Sequence, residues 1–293
     1  MYAFYTILFQ IETFRHKPRM DFASYFFEFG VFNLGVLLFF LLFLPIKGLP
    51  FFKCKMPHLV FTRGLFSVVC VWFYSLASIW TSNIGNALLY STDATWTLLV
   101  LAYLGVKVQK YGVYGILIGL AGVVIVYAYE LSHLQDLIGG GFGLTSGFFL
   151  GLLIIMTRFI VQNDDALTIG FYQGVVGVIT SFVIWIIAIC FTSFSLPPFQ
   201  GVLTMLFSGF VFGVALFCFV EAVMYAEAHI IGVISYFLPV FMIILEWIVY
   251  QKEISLPSLI GVILIISGGL ITIYASYGQG VFPTKKLPGT HLP

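Results

Sequence analysis

The sequence predicts an all-α membrane protein of about ten transmembrane helices in two inverted five-helix repeats. Three observations carry this reading. Hydrophobic residues make up 61% of the chain and charged residues 9%, and the mean hydropathy is +1.08, far from the balance of a soluble domain. Apolar stretches of about 18–25 residues, each long enough to cross ~30 Å of hydrocarbon as a helix, recur along the chain. Residues 83–122 and 229–268 read as two copies of one segment, offset by 146 residues without a gap.

The duplication is legible residue by residue. Gly115-x6-Gly122 lies over Gly261-x6-Gly268, and Tyr90, Leu99, Phe61 and Phe73 lie over Tyr236, Leu245, Phe207 and Phe219. The offset is almost half the length, so the whole chain reads as doubled. Internal repeats in a membrane chain mark many transporters.

The spans fall at roughly 1–14, 21–44, 60–81, 84–105, 112–129, 142–162, 168–192, 201–225, 229–250 and 258–276. Proline and glycine punctuate the gaps: Pro18, Pro45, Pro50, Pro57, Gly139-Gly140-Gly141, Pro197-Pro198 and Pro257. This divides the chain into a first repeat over 1–138, a second over 142–276 and a short cytoplasmic tail over 277–293. The first span is the odd one. As a helix, residues 1–14 rise only about 21 Å, and the 146-residue offset places the expected start about four residues before Met1. The first helix therefore reads as clipped at its N-terminus, or as short.

Lys and Arg set the orientation. With the N-terminus inside, nine of them fall on the inner side and four (Arg15, Lys17, Arg19 and Lys252) on the outer. That asymmetry places both termini in the cytoplasm. Five helices per repeat is an odd number, so the repeats must be inverted, an arrangement that puts substrate sites near the bilayer midplane. Arg63 and Arg158, near helix ends, are expected to snorkel to the interface.

Composition also excludes. A net charge of +1 gives no electrostatic footprint for nucleic acid. Cys54, Cys70, Cys190 and Cys218 are scattered without metal spacing and read as small apolar fillers. No cofactor is expected.

One polar stripe stands out. Asn83, Asn86, Tyr90, Asp93 and Thr97 follow 3-4-3-4 spacing in span four, within about 80° of one helical face. The flanking Leu88, Leu89, Leu98 and Leu99 are apolar. Such a helix should turn its stripe to protein or water. A central Asp in a bilayer costs on the order of 2.5–3.5 kcal/mol, so Asp93 needs a reason to be there. Two readings stay open. Asp93 is either a contact for a cationic substrate group or a coupling proton, or a structural acid bonded to a neighbouring helix. Span nine repeats the design: His229, Gly232, Tyr236, Pro239 and Glu246 share one face. Glu221 reads as a second buried acid, deep in span eight, and Glu28 as a third. The candidate substrate-binding residues are thus Asp93, Asn86, Tyr90 and Thr97, with Tyr236, Glu246 and Glu221. Gly115-x3-Gly119 and Gly147-x3-Gly151 read as close helix contacts rather than sites.

Residues 201–276 resemble the EamA-type domain of the drug/metabolite transporter superfamily. The resembling features are Ala222 into Ala226-Glu227-Ala228, Leu238-Pro239-Val240, Lys252-Glu253-Ile254-Ser255, Leu259-Ile260-Gly261 and Gly268. The resemblance implies ten helices in two inverted repeats, cytoplasmic termini and a central substrate cavity. Two departures lie in the first repeat: Asp93 stands where the family usually has a proline, and Lys107 where it has the turn glutamate matching Glu253. Without the proline, span four is expected to lose a kink.

The expected function is transport of a small polar metabolite by alternating access, either proton-coupled or by exchange, in a bacterial inner membrane. An acid among 33 Phe and 16 Tyr points to a zwitterion or cation: an amino acid first, S-adenosylmethionine second. A receptor or assembly subunit that does not transport, and a lipid-linked carrier flippase of the same fold, are the alternatives. An intramembrane enzyme is not expected: no H-E-x-x-H, G-x-S-x-G or Gly-x-Gly-Asp occurs. The partners are a small-molecule metabolite, the lipid bilayer and a coupling proton.

Overall fold

Each apolar stretch that the structure describes winds into helix. The computed structural model describes residues 22–48, 53–81, 83–105, 110–130, 134–192, 194–225, 231, 234–235, 237–251 and 255–276. No strand occurs among them. In order they form α1 (Phe22–Leu41), α2 (Leu44–Lys47), α3 (Pro57–Trp80), α4 (Asn83–Tyr90), α5 (Asp93–Tyr103) and α6 (Lys110–Glu130). Then come α7 (Leu134–Ile160), α8 (Ala166–Ile189), α9 (Phe199–Tyr225), α10 (Phe237–Tyr250) and α11 (Leu256–Ser276). Among the described residues six stretches, within α1–α2, α3, α6, α7, α8 and α9, are long and apolar enough to cross a membrane. Predicted spans two to eight and ten each coincide with a helix or a helix pair, and span nine does so over Phe237–Tyr250. Span one lies outside the described residues.

Local chemistry explains the helix starts. Pro57 opens α3 and Pro257 is the second residue of α11, where a missing N–H costs nothing. Asp165 caps α8, its carboxylate accepting the Thr168 N–H at 2.7 Å. Ser255 precedes α11 and accepts the Ser258 N–H at 3.2 Å. One boundary departs from expectation. The Gly139-Gly140-Gly141 run, read as a gap, lies inside α7, which begins at Leu134. Packing overrides the weak helix propensity of glycine here: a Cβ on Gly139 would press on Trp80 and Thr81 at 2.9–3.0 Å.

The chain packs as two compact units, neither a contiguous half of the sequence. One unit holds Met1–Val68 with Ile160–Glu221. Within it α1 lies along α8, with Gly30 under the Phe182 ring and Gly174 against Leu37. Gly35 and Gly209 bring α1 and α9 so close that a Cβ on Gly35 would sit 3.0 Å from the Gly209 Cα. Phe29, Phe32, Phe40 and Ile169 fill the interior.

The second unit holds Val69–Phe159 with Ala222–Pro293. Its closest pair is α6 with α11. A methyl on Gly115 would fall 2.6 Å from the Gly268 carbonyl, and one on Gly122 2.6 Å from that of Gly261. Small residues permit this approach, and dispersion over the tight contact holds the pair in lipid. Leu88, Ala94, Val123, Val126, Ile243 and Ile265 form the apolar core beside it.

Two arginines correct the sequence reading. Arg63 and Arg158 do not snorkel; each is only 1% exposed. In the first unit the Arg63 guanidinium donates to the Gln173 side-chain oxygen at 2.5 Å. In the second, Arg158 donates to the carbonyls of Val223 and Met224 at 2.6 and 3.0 Å. These belong to the last turn of α9, where carbonyls lack helical partners and a cation is favoured. All four cysteines are free, but only Cys70 is the buried filler expected of each; Cys54 is half-buried, and Cys190 and Cys218 are exposed.

Candidate functional site

Span four is not one helix. It breaks at Ser91-Thr92, between α4 and α5, although no proline is present. The cause is two hydroxyls in succession that compete for backbone carbonyls. Ser91 Oγ donates to the Ala87 carbonyl at 2.8 Å and Thr92 Oγ1 to that of Leu89 at 2.6 Å. The Thr92 N–H reaches back three residues, to Leu89 at 3.2 Å, rather than four, which tightens the turn. The expectation of a straighter span, drawn from the missing proline, is thereby corrected.

The stripe is buried around this break. Asn86, Tyr90, Asp93 and Thr97 are all inaccessible or nearly so, so their face turns to protein. The Asn86 amide donates to the Tyr74 carbonyl at 2.8 Å and to Ser78 Oγ at 2.6 Å. Tyr90 meets the Tyr74 ring edge-on at 4.8 Å. Thr97 Oγ1 points to the Gly151 carbonyl at 3.4 Å.

α7 lays a glycine ridge against the break. A Cβ on Gly147 would sit 2.7 Å from the Leu89 carbonyl and from Thr92 Oγ1, and one on Gly151 would sit 3.0 Å from the Asp93 carbonyl. Gly147-x3-Gly151 is therefore a packing motif, as its spacing suggested. Next to it, Ser146 Oγ donates to the Cys70 carbonyl at 2.8 Å, joining α7 to α3.

Asp93 opens α5 and is 0% exposed. Neither of its carboxylate oxygens has a hydrogen-bond partner among the described residues. Ser235, of predicted span nine, approaches the carboxyl without reaching hydrogen-bond geometry. The Ser235 carbonyl is itself held by Ser91 Oγ at 3.0 Å. An ionised carboxylate left alone in a dry interior is too costly to persist.

The other candidates scatter. Glu221 sits about one turn from the end of α9 and is half-buried, not deep in its span. Glu28 is half-buried on α1. Tyr236 and His229 lie outside the described residues, as do the side chains of Asn83 and Glu246. Among the described residues no group of three potential metal ligands occurs.

Sequence reasoning missed Asp164. It is buried in the first unit, between α7 and α8. Its carboxylate accepts the N–H of Lys55 at 2.7 Å and of Met56 at 3.1 Å, just before α3. Asp164-Asp165 thus caps two helices, one across the unit and one in its own chain segment. The second cap has a local signal, an Asp before an apolar run. The first has none, because its partners are about a hundred residues away.

The helices and their buried polar break define a polytopic α-helical membrane protein. Residues 137–274 match the EamA-like transporter family, part of the drug/metabolite transporter superfamily. Its members are membrane transporters, generally not enzymes. A solved structure titled "Crystal structure of protein" is similar with a TM-score of 0.70, at 17% identity over 94% of this chain and 97% of that one. At that identity the likeness speaks for the fold alone. No curated protein sequence matches.

Proposed function

We propose that this protein carries a small polar metabolite, an amino acid or a related zwitterion or cation such as S-adenosylmethionine, by alternating access. The observation that carries the reading is Asp93: a buried, unpartnered acid at a break in a membrane helix. Interrupted helices place ion and substrate sites at the midplane of many carriers, and ionisable groups at that depth mark transport paths. Asn86, Tyr90 and Thr97 line the same stripe; Tyr236, Glu246 and Glu221 extend the candidate path.

The reading includes ten helices in two inverted repeats, over 1–138 and 142–276. The reciprocal contact of Gly115 with Gly268 and of Gly122 with Gly261 supports it, because two-fold-related helices meet in that way. Both termini are cytoplasmic in a bacterial inner membrane, supported by the excess of Lys and Arg on the inner side.

The test is counterflow in proteoliposomes with labelled amino acids, S-adenosylmethionine, nucleotides and sugars. Exchange needs no ion gradient, so the coupling mode cannot hide activity. Accumulation of one class is expected. Silence across the panel from folded protein counts against transport and favours a receptor role.

A further inference from the structure

We infer that a groove at the start of α3 holds an anionic phospholipid, its phosphate on Lys53 and Lys55 and its glycerol and upper acyl segments along Phe61 and Tyr172. The inference needs only that the chain sits in a bilayer, and it stands apart from the transport reading.

The groove belongs to the first unit. It is a cavity of about 360 Å³ lined by Cys54, by Pro57, His58, Val60 and Phe61 of α3, and by Tyr172 of α8. That volume lies in the range of small-ligand clefts. The groove opens outward, since Phe61 is 54% exposed. The helices α3 and α8 both carry stretches fit to cross a membrane, and both start at this end, where Asp164 and Asp165 cap them. From the starts at Pro57 and Ala166, Phe61 and Tyr172 stand about 6 and 9 Å along their helices. That is the depth at which headgroups give way to acyl chains.

The polar part of the groove is basic. Lys53 and Lys55 are exposed immediately before α3, and no acid lines the cavity. The two acids nearby are engaged at the helix starts. Asp164 is buried; it accepts the Lys55 and Met56 N–H groups at 2.7 and 3.1 Å and the Cys54 thiol at 3.7 Å. Asp165 accepts the Thr168 N–H at 2.7 Å. Each carboxylate offsets the positive end of a helix, which leaves the two ammonium groups as the charge this end presents. The bonds to Asp164 also fix the backbone over residues 54–56, so Lys55 rides on an anchored loop.

The combination selects the ligand. Basic groups beside a cleft between membrane helices suit a phosphodiester. Aromatic rings at this depth suit the glycerol and the first methylenes. A soluble anion has no use for Phe61 and Tyr172, and a neutral lipid has none for the lysines. An anionic phospholipid uses both.

Two measurements on the full chain test this. The first is native mass spectrometry from a neutral detergent, with phosphatidylglycerol titrated against phosphatidylcholine. Preferential retention of phosphatidylglycerol is expected, with about fivefold of the preference due to each lysine. Lys53→Gln with Lys55→Gln should therefore lose about thirtyfold, and glutamine keeps the backbone N–H that binds Asp164. Phe61→Ala, which keeps both charges, should weaken retention as well. The second is alkylation of Cys54 in nanodiscs, with Cys190, exposed at the other end of α8, read in the same molecule. An anionic surface slows any thiol near it, and Cys190 measures that general effect. Replacing part of the phosphatidylcholine by phosphatidylglycerol should slow Cys54 more than Cys190, and the paired lysine variant should abolish the difference. Equal retention of the two lipids, retention that neither the lysine nor the Phe61 variant changes, or equal slowing at Cys54 and Cys190 each overturns the site. Glycerol phosphate without acyl chains shielding Cys54 as fully as the lipid marks a soluble-anion site and refutes the lipid.

Discussion

Gly115 of α6 and Gly268 of α11 pack backbone to backbone: a methyl group on either would strike the carbonyl of the other. The sequence repeat aligns Gly115 with Gly261 and Gly122 with Gly268. In space, Gly115 meets Gly268 and Gly122 meets Gly261. Each contact is thus the repeat image of the other. The contacts run in opposite order along the two helices, so α6 and α11 pack antiparallel.

That contact is testable by overpacking. Gly268→Leu should lower the unfolding temperature in detergent, because inserting bulk into a closed contact costs about 1–3 kcal/mol and often more. Gly141→Ala is the control. It lies in helix α7 with nothing within 4 Å of an added Cβ. There alanine should raise stability by roughly 0.5–1 kcal/mol through helix propensity. Equal effects from both substitutions would show that α6 and α11 do not depend on the glycine contact.

Arg158 is predicted to be structural. Arg158→Ala would strip the Val223 and Met224 carbonyls of their charged donor, and each buried group left unsatisfied costs about 1–3 kcal/mol. The expected outcome is a clear drop in unfolding temperature, with Arg158→Lys recovering part of it, since an ammonium presents its donors without the planar fork. An unchanged melting curve for Arg158→Ala would remove the arginine from the end of α9.

Asp164 should govern the chemistry of Cys54, which lies in the loop ahead of α3. Burial pushes the Cys54 thiol up, and the neighbouring Asp164 carboxylate pushes it further. Asp164→Ala removes that negative charge, so the thiolate forms at lower pH. Alkylation of Cys54 should become faster at neutral pH and its rate profile should move toward acid. The same variant loses the cap on α3, worth about 0.5–2 kcal/mol. A rate profile that stays in place after the substitution would detach Asp164 from Cys54.

Part of the site was legible before any coordinates. The 4-3-4 spacing from Asn86 to Thr97 puts those residues on one protected face, and all four are buried. The break beside them was not foreseen. No proline marks it; at the interruption the Ser91 and Thr92 hydroxyls share the Ala87 and Leu89 carbonyls with the backbone N–H groups. Arg63 and Arg158 were misread for a related reason. Position near a helix end suits a snorkelling side chain, but these two found partners in the interior, 110 and 65 residues away.

By itself, the sequence determined membrane residence, the positions of spans two to ten and the face on which Asp93 lies. Each follows from hydropathy and helical period, which are properties of neighbouring residues. The tertiary structure alone decided that the Asp93 carboxyl is buried without a hydrogen-bond partner among the described residues, that Ser91 bonds the Ser235 carbonyl, and that Asp164 caps a helix from the far side of its unit. These depend on which distant segments meet, as with Ser91 and Ser235 across 144 residues. No local pattern encodes such a meeting, because it is settled by the packing of whole helices.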